Sequence, residues 1–268
     1  MKDKVVVITG GSSGIGKALA EVFGRSGSRI LITGRNNTEL QNTVSVLQQQ
    51  GIQVQGLQAD VSVESDNKKM AEEALRVFGR IDILINNAGI TMRALFQDMD
   101  LNVIKTVMGI NFFGVLYATQ ACLPEILKNK GSIIGISSIA GYRGLPGRSG
   151  YSASKFALIG FLETLRTELL YQGVHVLTAC PGFTASNTRK RALNSSGKEQ
   201  GESPRDESDM MSAEECAERI YKATVRRQKI LILTNQGKLT VFLNKFAPGF
   251  MDKIVYKTMA KEPDSPFK

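Results

Sequence analysis

Lys4-Val5-Val6-Val7-Ile8-Thr9-Gly10-Gly11-Ser12-Ser13-Gly14-Ile15-Gly16 is the stretch that decides the fold. Its first half is a short run of β-branched apolar residues, the composition of a parallel strand buried on both faces. Its second half is a glycine-rich turn, and residues 17–26 beyond it carry a helical pattern. A strand, a turn and a helix start make an anion cradle, because backbone N–H groups and the helix dipole converge on a phosphate. The glycines stand at 10, 14 and 16, not at the spacing of the common dinucleotide fingerprint. Without a ligand the same residues make only a tight strand–helix turn.

The alternation continues outward. Apolar runs at 29–33, 53–59, 81–85, 131–136, 174–179 and 230–233 read as strands, with helical patterns between them at 38–50, 64–78, 101–128, 151–171 and 213–226. Strands alternating with helices predict a single α/β domain, a doubly wound parallel sheet of seven strands. The 101–128 stretch is expected to be bent or broken. The face of the 151–171 helix (Phe156, Leu158, Ile159, Phe161, Leu162, Leu165) is wider than one core contact needs, and points to a partner subunit.

After the second strand come Gly34, Arg35 and Asn36. An acid near this place in a dinucleotide fold holds the ribose 2′-OH, whereas an arginine suits a 2′-phosphate. The chain has Arg35, with Asn36 as a helper and no acid beside it, so the expected cofactor is NADP(H). Asp60-Val61 ends the third strand; Asp60 suits either an adenine contact or a helix cap. Asn86-Asn87-Ala88-Gly89 ends the fourth, where such residues line a crevice or simply make a turn. Asn111 sits among apolar neighbours, and a buried amide is either a structural bridge or a site residue. These residues alone do not choose between the two.

Ser138-Ile139-Ala140-Gly141 and Tyr151-Ser152-Ala153-Ser154-Lys155 carry the proton chemistry. Tyr151 and Lys155 lie one helical turn apart on one face. An ammonium there lowers the phenol toward useful proton transfer, and Ser138 stands ready to hold an oxygen beside it. Such a trio suits carbonyl–alcohol interconversion. His175 lies inside a strand with no acid beside it, and reads as structural. The three cysteines are scattered, which excludes a metal site of ordinary spacing and suits a reducing compartment. No run approaches a membrane span, the start leaves no room for a signal peptide, and the expected location is cytoplasmic.

Taken together, the turn at 9–16, Asp60, Asn86–Gly89, Asn111, Ser138, Tyr151-x-x-x-Lys155 and Pro181-Gly182 resemble the short-chain dehydrogenase/reductase family over about residues 4–235. The resemblance implies strand order 3-2-1-4-5-6-7 and subunits paired, as a homodimer or homotetramer, through the 101–128 and 151–171 helices. It implies Tyr151 as general acid and base, Ser138 as carbonyl polariser, and Lys155 as ribose holder and tuner of Tyr151. Asn111 would anchor a water that relays protons to Lys155. Gly10, Ser12, Ser13, Gly14, Ile15, Gly16, Val61, Asn87, Ala88, Gly89, Pro181, Gly182 and Thr184 would hold NADP(H) beside Arg35, Asn36 and Asp60. Ser186 stands where the family often has threonine. The substrate would be a small carbonyl or alcohol, lipid-like in one reading. A 3-oxoacyl-thioester reductase and a non-catalytic NADP(H) sensor are the rival functions.

Two segments lie outside those motifs. Residues 184–211 are polar, and 194–209 are nearly free of large apolar side chains, which suits a mobile lid over the substrate or a plain surface insertion. Residues 236–268 form a basic extension. The last 43 residues hold nine Lys/Arg against three Asp/Glu, so most of the +9 net charge belongs there. Leu239, Phe242, Leu243 and Phe246 fall at i, i+3, i+4, i+7, and Phe250, Met251, Ile254, Val255 and Met259 follow Pro248-Gly249. Such a basic amphipathic pair covers a core, a pocket or a partner, or lies on an anionic membrane. Nothing accompanies the charge that would mark nucleic-acid binding.

Overall fold

The computed structural model describes residues 1–184, 188–201, 210–263 and 265–267. Seven parallel strands form one sheet in the order β3-β2-β1-β4-β5-β6-β7, as the resemblance implied. They are β1 (Val5–Ile8), β2 (Arg29–Gly34), β3 (Val54–Gln58), β4 (Ile83–Asn86), β5 (Ser132–Ile136), β6 (His175–Cys180) and β7 (Ile230–Ile232). β1 lies between β2 and β4, with Val6 opposite both Ile30 and Ile83.

Strand side chains alternate between faces, and the core divides accordingly. Val6, Ile8, Ile30 and Ile32 face α1 (Gly14–Arg25), α2 (Asn37–Gln49) and α7 (Ala213–Val225) through Leu19, Phe23, Leu40, Leu47 and Ile220. Val7, Leu31 and Leu84 face the other way. They meet Met70 and Ala74 of α3 (Glu64–Phe78), Val115, Ala118 and Cys122 of α5 (Gly114–Lys128), and Leu158, Leu162 and Leu165 of α6 (Ser149–Glu168). A run of apolar residues without polar alternation is therefore what each central strand needs.

The 101–128 stretch breaks as expected. α4 (Leu101–Met108) runs into a π-helical turn, Gly109–Phe113, before α5, which contains Pro124. One expectation needs correcting. Leu101–Lys128 spans 28 residues and holds an 18-residue window of mean hydropathy 1.4, enough by length and composition alone to cross a membrane. Its apolar surplus has a different cause here: α5 packs on α3 and β4 while α4 packs on α6, so two faces are apolar. Phe113, Phe156 and Leu101 remain exposed.

His175 is a strand tie. Its Nε2 lies 2.7 Å from the Gln228 carbonyl and its Nδ1 3.3 Å from Ser132 Oγ, and burial lowers its pKa. All three cysteines are buried and free, and no group of metal-ligating side chains occurs among the described residues. After β7 the chain forms α8 (Asn235–Phe246) and α9 (Pro248–Ala260). They share a small core of Met251, Val255 and Met259 with Leu145, Leu243 and Phe267.

Candidate active site

A cleft of about 1860 Å³ runs along the carboxyl ends of the strands, the edge where open α/β sheets bind ligands. It begins at the glycine turn. Gly10 has φ +65°, and a Cβ on Gly16 would lie 2.1 Å from the Gly10 carbonyl oxygen. The turn is therefore drawn tight against its own helix start, leaving backbone N–H groups free to face an anion. Gly10, Ser12, Ser13, Gly14, Ile15, Gly16, Arg35, Asn36, Asp60, Val61, Asn87, Ala88, Gly89, Ser138, Tyr151, Lys155, Pro181, Gly182 and Thr184 all line this one cleft. Ser186 lies outside the described residues.

Several of these side chains are already engaged. Asn87 donates both amide protons, to the Thr9 and Gly10 carbonyls at 3.0 Å each. It clamps the glycine turn to the end of β4; its amide nitrogen is not available to a cofactor. Asn36 caps α2 by accepting from Glu39 N, and Asp60 accepts from Ser62 N and Oγ. Asn111 does not reach the cleft. Its Oδ1 accepts from Ile90 N at 2.9 Å, while Nδ2 donates to Ile90 O and Ser154 Oγ. Its side chain ties the π-helical turn to the loop after β4.

Around Arg35 the expectation of no nearby acid needs amending. Glu39, in the first turn of α2, also lines the cleft, and Arg191 pairs with it at 2.7 Å. Arg191 takes up the Glu39 carboxylate, and no carboxylate partner of Arg35 is found among the described residues. The cradle fits the pyrophosphate of a nicotinamide dinucleotide, and Arg35 stands exposed beside it.

At the other end, Ser138 hydrogen-bonds Tyr151, and its Oγ also accepts from Ala140 N at 3.1 Å. Lys155 Nζ donates to the Ile136 carbonyl at 2.9 Å and lies 5.8 Å from the Tyr151 ring centre. The expected tuning runs differently from the simple picture. Burial raises the Tyr151 phenol, and Ser138, Arg148 and Arg189 draw it down. Lys155 itself pays most for burial, its ammonium lowered to about 8. It is held near the site but directed at a carbonyl.

Three features went unseen in the sequence. Arg148 meets Glu262 at 3.2 Å, with Arg93 Nε 3.6 Å from the same carboxylate, and all three are largely buried. This cluster pins the tail after α9 to the loops on either side of Tyr151. Gln236, Thr240, Met251, Ile254 and Met259 bring α8 and α9 into the cleft wall, the pocket-covering alternative the sequence offered for this extension. The polar 184–211 segment is anchored where it is described: Leu193 pairs with Met92, and Arg93 N donates to Leu193 O at 2.8 Å. Arg191 belongs to the same segment. Each involves partners far apart in the chain, which periodicity cannot register.

The family model for short chain dehydrogenases matches residues 4–196. "Dehydrogenase/reductase SDR family member 7B" of Xenopus tropicalis is 36% identical over 270 residues, covering 98% of this chain and 87% of that protein. A solved short chain dehydrogenase/reductase from Burkholderia phymatum, in complex with NAD, superposes with a TM-score of 0.84 at 25% identity, covering 93% of this chain and 95% of that one. An alcohol dehydrogenase from the archaeon Thermococcus sibiricus, complexed with 5-hydroxy-NADP, has a TM-score of 0.76 at 24% identity, covering 86% and 95%. The last likeness concerns the fold.

Proposed function

We propose, for a chain that belongs to the short chain dehydrogenase family of oxidoreductases, that it interconverts a carbonyl and a secondary alcohol using NADP(H). The observation that carries this reading is that Ser138, Tyr151 and Lys155 share one cleft with the glycine cradle and Arg35. The backbone of the 10–16 turn would hold the pyrophosphate, Arg35 the 2′-phosphate, and Lys155 the ribose nearest the reacting end. When bound, the nicotinamide supplies or accepts the hydride.

The chain's own groups manage the oxygen and its proton. Ser138 and Tyr151 present two hydroxyls to a carbonyl oxygen. Reduction leaves negative charge on that oxygen, and Tyr151 gives it a proton; oxidation runs the transfer backwards. A phenol raised by burial stays protonated near neutrality, the form that reduction requires. Swinging Lys155 from the Ile136 carbonyl toward a ribose would bring its charge to bear on the phenolate. Asn111 acts as a positioning residue through Ile90 and Ser154.

The test is NADPH oxidation by the full chain against ketones, aldehydes and acetoacetyl thioesters, with Tyr151→Phe as control. Turnover that survives this substitution overturns the mechanism. Binding of NADPH without turnover on any substrate would favour the sensor, and turnover confined to thioesters would favour the thioester reductase.

A further inference from the structure

The two C-terminal helices face two ways. Their inner side, with Thr240, Met251 and Met259, walls the cleft. Their outer side leaves Leu239 (55%), Phe242 (61%), Phe246 (67%) and Phe250 (59%) exposed. The rings of Phe242 and Phe246 lie 5.0 Å apart, and with Leu239 and Phe250 they make an aromatic-rich ridge, the kind of exposed apolar patch that marks an interaction surface. Lys238, Lys245, Lys253 and Lys257 surround it, all exposed and none with a carboxylate partner among the described residues. The sole acid on the two helices is Asp252, which is taken by Arg143. Ile254 is exposed and also lines the cleft, so the ridge adjoins the cleft's edge.

We propose that this outer face of α8 and α9 docks the protein on an anionic lipid surface, with the aromatic ridge in the headgroup boundary and the lysines against the headgroup charge. The charge pattern selects this occupant. A second copy meeting the same face by twofold symmetry would set four unpaired lysines against four, with no free carboxylate to offset them. An anionic bilayer matches both parts of the surface: amphipathic helices with lysine on the flanks and aromatic residues between them lie in that interface. The candidate surface for a second copy is elsewhere, at Leu101, Phe113 and Phe156 on the helices α4 to α6. Docking would bring the edge of the cleft to the membrane, where a poorly soluble carbonyl substrate is most concentrated. The attachment does not depend on the redox reading, and its test needs no turnover.

The test is flotation of the full chain with vesicles of phosphatidylcholine containing about 30% phosphatidylglycerol, at low and high salt, because exposed charges are screened by salt. The wild type is expected to float with these vesicles at low salt, to be released at high salt, and to stay behind with pure phosphatidylcholine. Phe242→Ser with Phe246→Ser, and separately the four lysines changed to glutamine, are expected to weaken binding at least tenfold. Thermal midpoints close to the wild type would show that both variants fold; these side chains do not line the cleft. Failure of the wild type to float at low salt, or equal binding by both variants, would overturn the proposal. So would a dimer that dissociates only in the phenylalanine variant, which would assign the face to a second copy.

Discussion

Replacing Lys155 by methionine separates what the residue contributes from what it costs. The side chain is 5% exposed, and burial lowers its ammonium from 10.5 to about 8. At about 1.4 kcal/mol per pKa unit, holding that charge in the fold at pH 7 costs about 3 kcal/mol relative to a neutral side chain. Methionine removes this cost but gives up the 2.9 Å bond to the Ile136 carbonyl, a loss of about 1–3 kcal/mol. The absolute difference between the two proteins mixes both effects, whereas its pH dependence reports the charge alone. The folded pKa lies below the unfolded one, so between about pH 8 and 10.5 the unfolded state binds more protons. The wild type therefore gains stability relative to the variant as pH rises through that window. From pH 7 to about pH 9.5 the variant's standing should fall by about 2 kcal/mol, measured by urea denaturation of both proteins without cofactor. A difference that stays constant within about 0.5 kcal/mol, or moves the other way, refutes the reasoning. Repeated with NADPH, the same denaturation should show a larger stabilisation of the wild type than of the variant.

Three further outcomes are expected. Arg35→Ala should raise Kd for NADPH about 10–100-fold and leave NADH nearly unchanged, because charge-assisted hydrogen bonds to one phosphate are lost; titration by intrinsic fluorescence of the dinucleotide checks this. Glu262→Ala removes the buried carboxylate that Arg148 and Arg93 share and should cost about 3–5 kcal/mol of stability, read from urea midpoints. In the reductive direction kcat/KM should decline above about pH 8, as Lys155 loses its charge. A profile flat to pH 10 would show that the ammonium is not required in the free enzyme.

Much of this molecule is legible in the chain because its decisive signals are local. Val5 to Ile8 specify a strand buried on both faces by composition alone, and the same composition recurs at Ile83 and Ile133. Gly10 and Gly16 announce a tight turn, and Tyr151 and Lys155 share a helix face by spacing. The fine roles were less legible because they depend on where distant groups finish. Asn87 looks like a cofactor contact until its amide is found on the Thr9 and Gly10 carbonyls. Asn111 spends its amide on Ile90 and Ser154. Glu39 was one helical turn from Arg35, but its pairing with Arg191 spans 152 residues. The stripe on α8 shows its period in the sequence, yet a period carries no direction. Its Leu243 turns inward while Phe242 and Phe246 turn out.

The strand order has a consequence for how the chain reaches its fold. β1 is the first strand made, but its second neighbour, β4, the centre of the sheet, ends at Asn86. β4 in turn waits for β5, which begins at Ser132. A ribosome adding about 5–20 residues per second thus leaves the apolar edge of Ile83–Asn86 unpaired for some seconds while α4 and α5 are made. Parallel pairings of this kind close only after long loops are complete, so folding is slow for topological reasons. The interval between β4 and β5 is then when the nascent chain is most exposed to aggregation, and substitutions in Leu101–Lys128 that slow helix formation would lower yield without touching the finished enzyme.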